Sequence, residues 1–175
     1  MKKVLVIGSS GAGKSTFARR LHEATGLKLI HLDKLYWKPN WVEPTDKAEW
    51  RKNLAEVLKD DSWIIDGNYS STMEMRLEFC DTAIFLDLPH YICTWRVFKR
   101  VLLYRKGGRP DMAEGCDEKF DWEFIKWTWN YPKRSKPKVE EILKRFESEK
   151  TIIRLKSNKD VENFFLNYSN TSVLK

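Results

Sequence analysis

Residues Gly8-Ser-Ser-Gly-Ala-Gly13-Lys14-Ser15 follow the spacing G-x-x-x-x-G-K-[ST]. Glycines at these places let the backbone curl round a phosphate with its N–H groups turned inward. A helix starting near Lys14 adds its positive dipole end. The lysine reaches the β- and γ-phosphates, and the serine hydroxyl ligates Mg²⁺. The chemistry implied is the holding of Mg-ATP, by Gly8, Ser9, Ser10, Gly11, Ala12, Gly13, Lys14, Ser15 and Thr16. Ser15 is the first candidate for the metal.

Two carboxylates come next. Asp33 and Asp66 each follow an apolar run that reads as a strand, and the end of such a strand is where an open α/β sheet binds ligands. A carboxylate there either holds Mg²⁺ through water or takes a proton from an attacking hydroxyl. Both are catalytic candidates, and Asp66 is also a metal candidate. Asp87 ends a strand too, but Pro89 follows closely and a turn role is expected. Arg96, Lys99, Arg100, Arg105, Lys106 and Arg109 form a basic stretch without an acid. Arginines on a closing segment can neutralise the charge that phosphoryl transfer spreads, so Arg96, Arg100 and Arg109 are lid candidates. Lys133, Arg134, Lys136 and Lys138 form a second basic cluster, read as a solvated turn rather than a site. Tyr36, Trp37 and Trp41 sit where a substrate would enter, and serve either as stacking walls or as rings that pin a loop.

These residues need a frame. Val4 to Ile7 reads as a strand buried on both faces. Phe17, Ala18, Leu21 and Ala24 mark a helix over Lys14 to Thr25, closed by Gly26. Further strands are expected at Leu29 to Leu32, Trp63 to Ile65, Ala83 to Leu86 and Thr151 to Leu155. An ordered loop is expected over 34–44. Helices are expected at Asp46 to Asp60, Ile92 to Arg105, Asp121 to Tyr131, Val139 to Glu147 and Val161 to Leu166. Pro132 is taken to end the aromatic helix, in which Trp122, Ile125 and Trp129 fall at core spacing. Strands alternating with helices give a doubly wound α/β sheet. One domain is expected over residues 1–167, with a lid at about 93–120 and a frayed tail from Tyr168.

The 175 residues carry 32 Lys and Arg against 25 Asp and Glu, a net charge of +7 that suits an anionic partner. The three cysteines have no C-x-x-C spacing, which argues against a zinc ribbon or a disulfide framework. The apolar run after Met1-Lys-Lys is too short for a signal peptide, and no stretch approaches the ~20 apolar residues of a membrane span. A soluble cytoplasmic protein is expected. No helix-turn-helix, zinc-finger or RNA-recognition signature is present, so a nucleic-acid partner has only the charge in its favour.

The order of the pieces resembles the adenylate kinase-like small P-loop kinases. Within that group the chain resembles the DNA topology modulation proteins, the FlaR-related family. The residues that carry this are Gly8 to Thr16, His31-Leu-Asp33, Trp41, Trp63-Ile-Ile-Asp-Gly-Asn-Tyr69, Phe85-Leu-Asp-Leu-Pro89, Arg109-Pro-Asp, Gly115-Cys116 and Glu118. The resemblance implies a P-loop NTPase fold with a five-stranded parallel sheet. It implies that Gly11 to Thr16 hold the triphosphate, that Asp66 organises Mg²⁺, that Asp33 faces the acceptor and that residues 93–118 cover ATP. It also places adenine reading at about Lys156 to Asp160. In one respect the chain departs from true adenylate kinases. They follow the Asp-Gly of the third strand with a proline and an arginine that grips the nucleoside monophosphate. Here Asn68-Tyr69 follows, with no arginine before Arg76. The expected activity is transfer of the ATP γ-phosphate to a small, nucleotide-like acceptor. The alternative is a DNA-associated ATPase or topology-modulating regulator.

Overall fold

In a computed structural model the chain is described over residues 1–43, 46–104, 111–112, 115–116 and 120–172. In chain order the elements are β1 (Lys3–Gly8), α1 (Lys14–Thr25), β2 (Leu29–His31), α2 (Leu32–Tyr36), α3 (Lys47–Leu58), β3 (Trp63–Asp66) and α4 (Met73–Phe79). They continue with β4 (Thr82–Leu86), α5 (His90–Leu103), α6 (Trp122–Trp129), α7 (Tyr131–Arg134), α8 (Lys136–Phe146), β5 (Thr151–Leu155) and α9 (Asn158–Ser172). Single 3₁₀ turns lie at Pro39–Trp41 and Ser70–Thr72. The five strands form one parallel sheet in the order β2-β3-β1-β4-β5. This is the five-stranded P-loop NTPase architecture expected from the sequence.

Why the strands read as unbroken apolar runs is plain from their two faces. Successive side chains point to opposite sides of a sheet, and helices cover both. Leu5, Ile7, Ile65 and Phe85 pack under α3, α4 and α8. Val4, Val6, Ile64 and Ile84 pack under α1 and α9. Helix ends are set locally. Gly26 takes a φ of 71° and returns its N–H to His22 at 2.7 Å. Asp46 and Asp121 cap α3 and α6 by accepting first-turn amides, each cap worth about 1 kcal/mol.

Several expectations differ from what forms. The stretch read as a loop over 34–44 begins inside α2, because Leu32 is buried and tethers a helical turn directly after β2. Pro44 of that stretch lies outside the described residues. A helix absent from the sequence reading, α4, forms over Met73–Phe79 and buries Met73, Arg76 and Leu77. Pro132 does not end the aromatic helix. It sits in the first turn of α7, where its missing N–H costs nothing. Trp122 and Trp129 are not core. They are 57% and 51% exposed, and Ile125 alone of that trio is buried. The final helix runs past Leu166 to Ser172, with Tyr168 stacked on Phe164. No helix among the described residues is long and apolar enough to cross a membrane.

Candidate active site

The C-terminal ends of the strands open into one cavity of about 680 Å³. The loop after β1 forms one wall. Gly11 has a φ of 74°, and a Cβ there would stand 2.1 Å from the Cys93 carbonyl oxygen. A Cβ at Gly8 would stand 2.5 Å from the Leu86 carbonyl oxygen. Only glycine lets this loop lie so close to β4 and α5. Gly13 precedes α1 in a left-handed conformation and offers no side-chain cap. The first-turn N–H groups of α1 therefore have no partner within the helix, and Lys14, Ser15 and Thr16 line the cavity there.

Lys14 Nζ donates to the Ser9 carbonyl at 3.0 Å. Burial pushes the Lys14 pKa down, while the Asp33 and Asp66 charges hold it up against the nearby Arg100. Asp66 is the last residue of β3, rather than just past it, and pairs in register with both Val6 and His31. His31 Nδ1 lies 2.7 Å from Asp66 Oδ1, with both side chains almost covered. With a carboxylate as acceptor, Nδ1 carries the proton and donates. Asp33 stands in the first turn of α2 and accepts from the Tyr69 hydroxyl at 2.7 Å. Burial, and then the Asp33 charge, push the Tyr69 pKa well up, so Tyr69 stays a donor.

The structure brings Lys14, Asp33, Asp66, Arg96 and Arg100 to the same cavity. Arg96 reaches over the phosphate loop. Its Nη1 would be 3.6 Å from a Cβ at Gly13, and its Nη2 donates to Asn158 at 2.9 Å. Arg100 lies 5.9 Å from the Phe124 ring centre. Arg109 falls outside the described residues, as do Arg105, Lys106 and Glu118. Asp87 is not a turn residue. It holds Lys136 at 2.8 Å and Arg154 at 2.7 Å, and Glu140 joins Arg154. Asp160, in the stretch implied to read adenine, accepts from the amides of Lys156 and Ser157.

Three features escaped the sequence. The His31–Asp66 contact depends on β2–β3 register, which one sequence does not display. Trp127 lines the cavity from α6, where the apolar spacing had pointed to Trp122 and Trp129. Arg76 is fully buried and donates to the carbonyls of Gly67 at 2.8 Å, Tyr69 at 2.7 Å and Thr72 at 3.3 Å. Nothing in an isolated charged residue on a helix announces that role.

The donor set suits Mg²⁺, a hard cation that favours a hydroxyl, one or two carboxylates and substrate phosphates over an all-protein cage. Ser15 and Asp66, which both line the cavity, are the oxygen donors on this chain that would fit it. Among the described residues no group of three His, Cys, Asp or Glu side chains could hold a metal by itself.

A family model described as an AAA domain matches residues 4–100. No curated protein matches the chain significantly. Among solved structures, a shikimate kinase from Acinetobacter baumannii in complex with shikimate is 17% identical, with a TM-score of 0.61. That match covers 100% of this chain and 96% of that one. An unliganded sugar kinase from Janibacter sp. HTCC2649 is 18% identical at a TM-score of 0.54, covering 97% and 95%. Deoxyadenosine kinase from M. mycoides with bound dCTP is 14% identical at 0.50, covering 96% and 98%. Identities this low speak to the shared fold alone.

Proposed function

We propose, from the premise that this chain belongs to the AAA domain family, that it is a kinase moving the γ-phosphate of ATP to a small molecule. The observation that carries the reading is the cavity in which the phosphate loop, Asp33, Asp66, Arg96 and Arg100 converge. Gly8 to Thr16 would hold the triphosphate. Ser15 and Asp66 would hold Mg²⁺, which supplies charge neutralisation of the β- and γ-oxygens. Asp33 would receive or orient the acceptor, with Tyr69 fixing its carboxylate. Lys14, Arg96 and Arg100 would neutralise the transferring group, joined by Arg109 from outside the described residues. The working unit would be residues 1–167 with a lid over about 93–120. All three cysteines are free, which suits a cytoplasmic setting.

The finer resemblance, to the adenylate kinase-like group and its DNA topology modulation proteins, rests on the sequence pieces above. The alternative of a DNA-associated ATPase gains nothing from the cavity, where the grouped cations already have a phosphoryl-transfer use. The test is ADP release from Mg-ATP against nucleosides, sugars, nucleoside monophosphates and DNA, with Lys14→Ala as control. One small molecule should raise turnover sharply, and Lys14→Ala should abolish it. Stimulation by DNA alone would overturn the reading.

A further inference from the structure

The second basic cluster divides in the structure. Lys136 is committed to Asp87. Arg134 and Lys138, one turn apart across α7 and α8, both line the cavity. Arg134 lies over the Trp127 ring at 4.7 Å. The Lys138 side chain makes no hydrogen bond or ion pair among the described residues.

Their place in the fold says which end of the cavity they serve. The inner face of α8, Val139 and Ile142, packs in the same core as Ile65 and Met73, with Tyr36 and Tyr69 against it. The phosphate loop and α1 pack through Ala12 and Phe17 on the other face of the sheet. The helix that carries Lys138 thus packs on the side of the sheet that holds Tyr36 and Tyr69, opposite the face under the phosphate loop and α1. Arg96 and Arg100 lie close to the phosphate loop and Lys14.

The acceptor end also carries a carboxylate held by a tyrosine hydroxyl. A phosphate acceptor needs no base and is repelled by Asp33, whereas a hydroxyl must lose a proton. Arg76, the first arginine after β3, is fully buried and turned to three backbone carbonyls, so it does not reach the cavity.

We infer that the acceptor is an anionic alcohol: a small molecule phosphorylated on a hydroxyl at Asp33, whose own carboxylate or phosphate is held by Arg134 and Lys138. Its body lies between Trp37 and Trp127. This rests on the kinase reading and narrows the nucleotide-like acceptor expected from sequence. In the step, the acceptor oxygen bonds to the γ-phosphorus of ATP. The bond from that phosphorus to the β–γ bridging oxygen breaks, and ADP leaves with the electron pair. The hydroxyl proton passes to the Asp33 carboxylate.

The test compares matched acceptors with Mg-ATP: neutral sugars and nucleosides, hydroxy acids and sugar acids, sugar phosphates, and nucleoside monophosphates. Phosphorus NMR identifies the product. An anionic alcohol should give a phosphomonoester, and the acid and phosphate arms reveal which anion is read. In the variant R134Q/K138Q its KM should rise about 10- to 100-fold, the loss of charged hydrogen bonds, with kcat and the KM for ATP unchanged. A phosphoanhydride product overturns the inference. So does a neutral alcohol used as well as its anionic counterpart.

If no acceptor raises ADP release, the kinase reading fails, and the anion site is decided separately. Inorganic phosphate is then titrated calorimetrically into protein loaded with Mg²⁺ and a non-hydrolysable ATP analogue. Saturable binding that R134Q/K138Q abolishes upholds the anion site, and absence of binding overturns it.

Discussion

Replacing Arg76 by methionine isolates the residue that holds the segment from Gly67 to Thr72. The guanidinium is 0% exposed and supports the segment from Gly67 to Thr72 through three carbonyls, two of them at 2.8 and 2.7 Å. Two short charged hydrogen bonds and one longer one amount to about 6 kcal/mol. Against this stands the burial of the charge, which lowers the Arg76 pKa from 12.5 to about 10. That penalty is about 3 kcal/mol and methionine would recover it. The net expectation is a loss of about 3 kcal/mol, within the range for removing one member of a buried polar cluster. Urea unfolding of the two proteins, followed by circular dichroism, measures it. Binding of Mg-ATP should survive, since the phosphate loop packs on the opposite face of the sheet. The acceptor KM should rise, because Asn68 and Tyr69 lose their support. A loss below about 1 kcal/mol would refute the account, since it would mean that the carbonyls find other partners.

Gly11→Ala should abolish Mg-ATP binding in calorimetry, because its Cβ would stand 2.1 Å from the Cys93 carbonyl at a φ of 74°. Retained affinity would show that α5 gives way there. Stability should fall at alkaline pH through Cys80. Burial raises its thiol from 9.0 to about 11, so between those values the unfolded chain loses a proton that the folded chain keeps. That contribution is intact below pH 9 and is lost as pH rises through 11, at about 1.4 kcal/mol per pH unit. Tyr69, Tyr131 and Cys93 shift in the same direction by burial, so the informative measurement is the difference between Cys80→Ala and the parent. The gap in urea midpoint should close between pH 8 and 11, and parallel profiles would exclude the assignment.

The sheet was legible because both of its faces are covered, which leaves uninterrupted runs such as Val4 to Ile7 and Trp63 to Ile65. The glycine spacing of the phosphate loop was legible for a different reason. Close approach to Leu86 and Cys93 admits no other residue. Helix α4 was not legible, since it covers only Met73 to Phe79 and directs a charged residue inward. Trp122 and Trp129 misled because apolar spacing reports a face without saying what covers it. For Arg134 and Lys138 the sequence showed a basic cluster but not the turn of α7 into α8 that sorts its members. Lys136 goes to Asp87, and its two neighbours go to the cavity. Asp33 and Asp66 were found by strand ends, but their partners Tyr69 and His31 lie 36 and 35 residues away.

The eight tryptophans give the molecule an optical property of its own. Trp50 and Trp63 are sealed in the core, and Trp95, Trp122 and Trp129 lie mostly in solvent. Trp37, Trp41 and Trp127 line the cavity. Core and solvent indoles emit at opposite ends of the emission band and should be indifferent to ligand, leaving a fixed background. The three cavity indoles change surroundings when the cavity fills, and Trp127 already has a guanidinium over its ring. Occupancy is therefore written into the intrinsic fluorescence, so a titration can be followed without a label. Single Trp→Phe replacements at 37, 41 and 127 would show which wall each ligand touches.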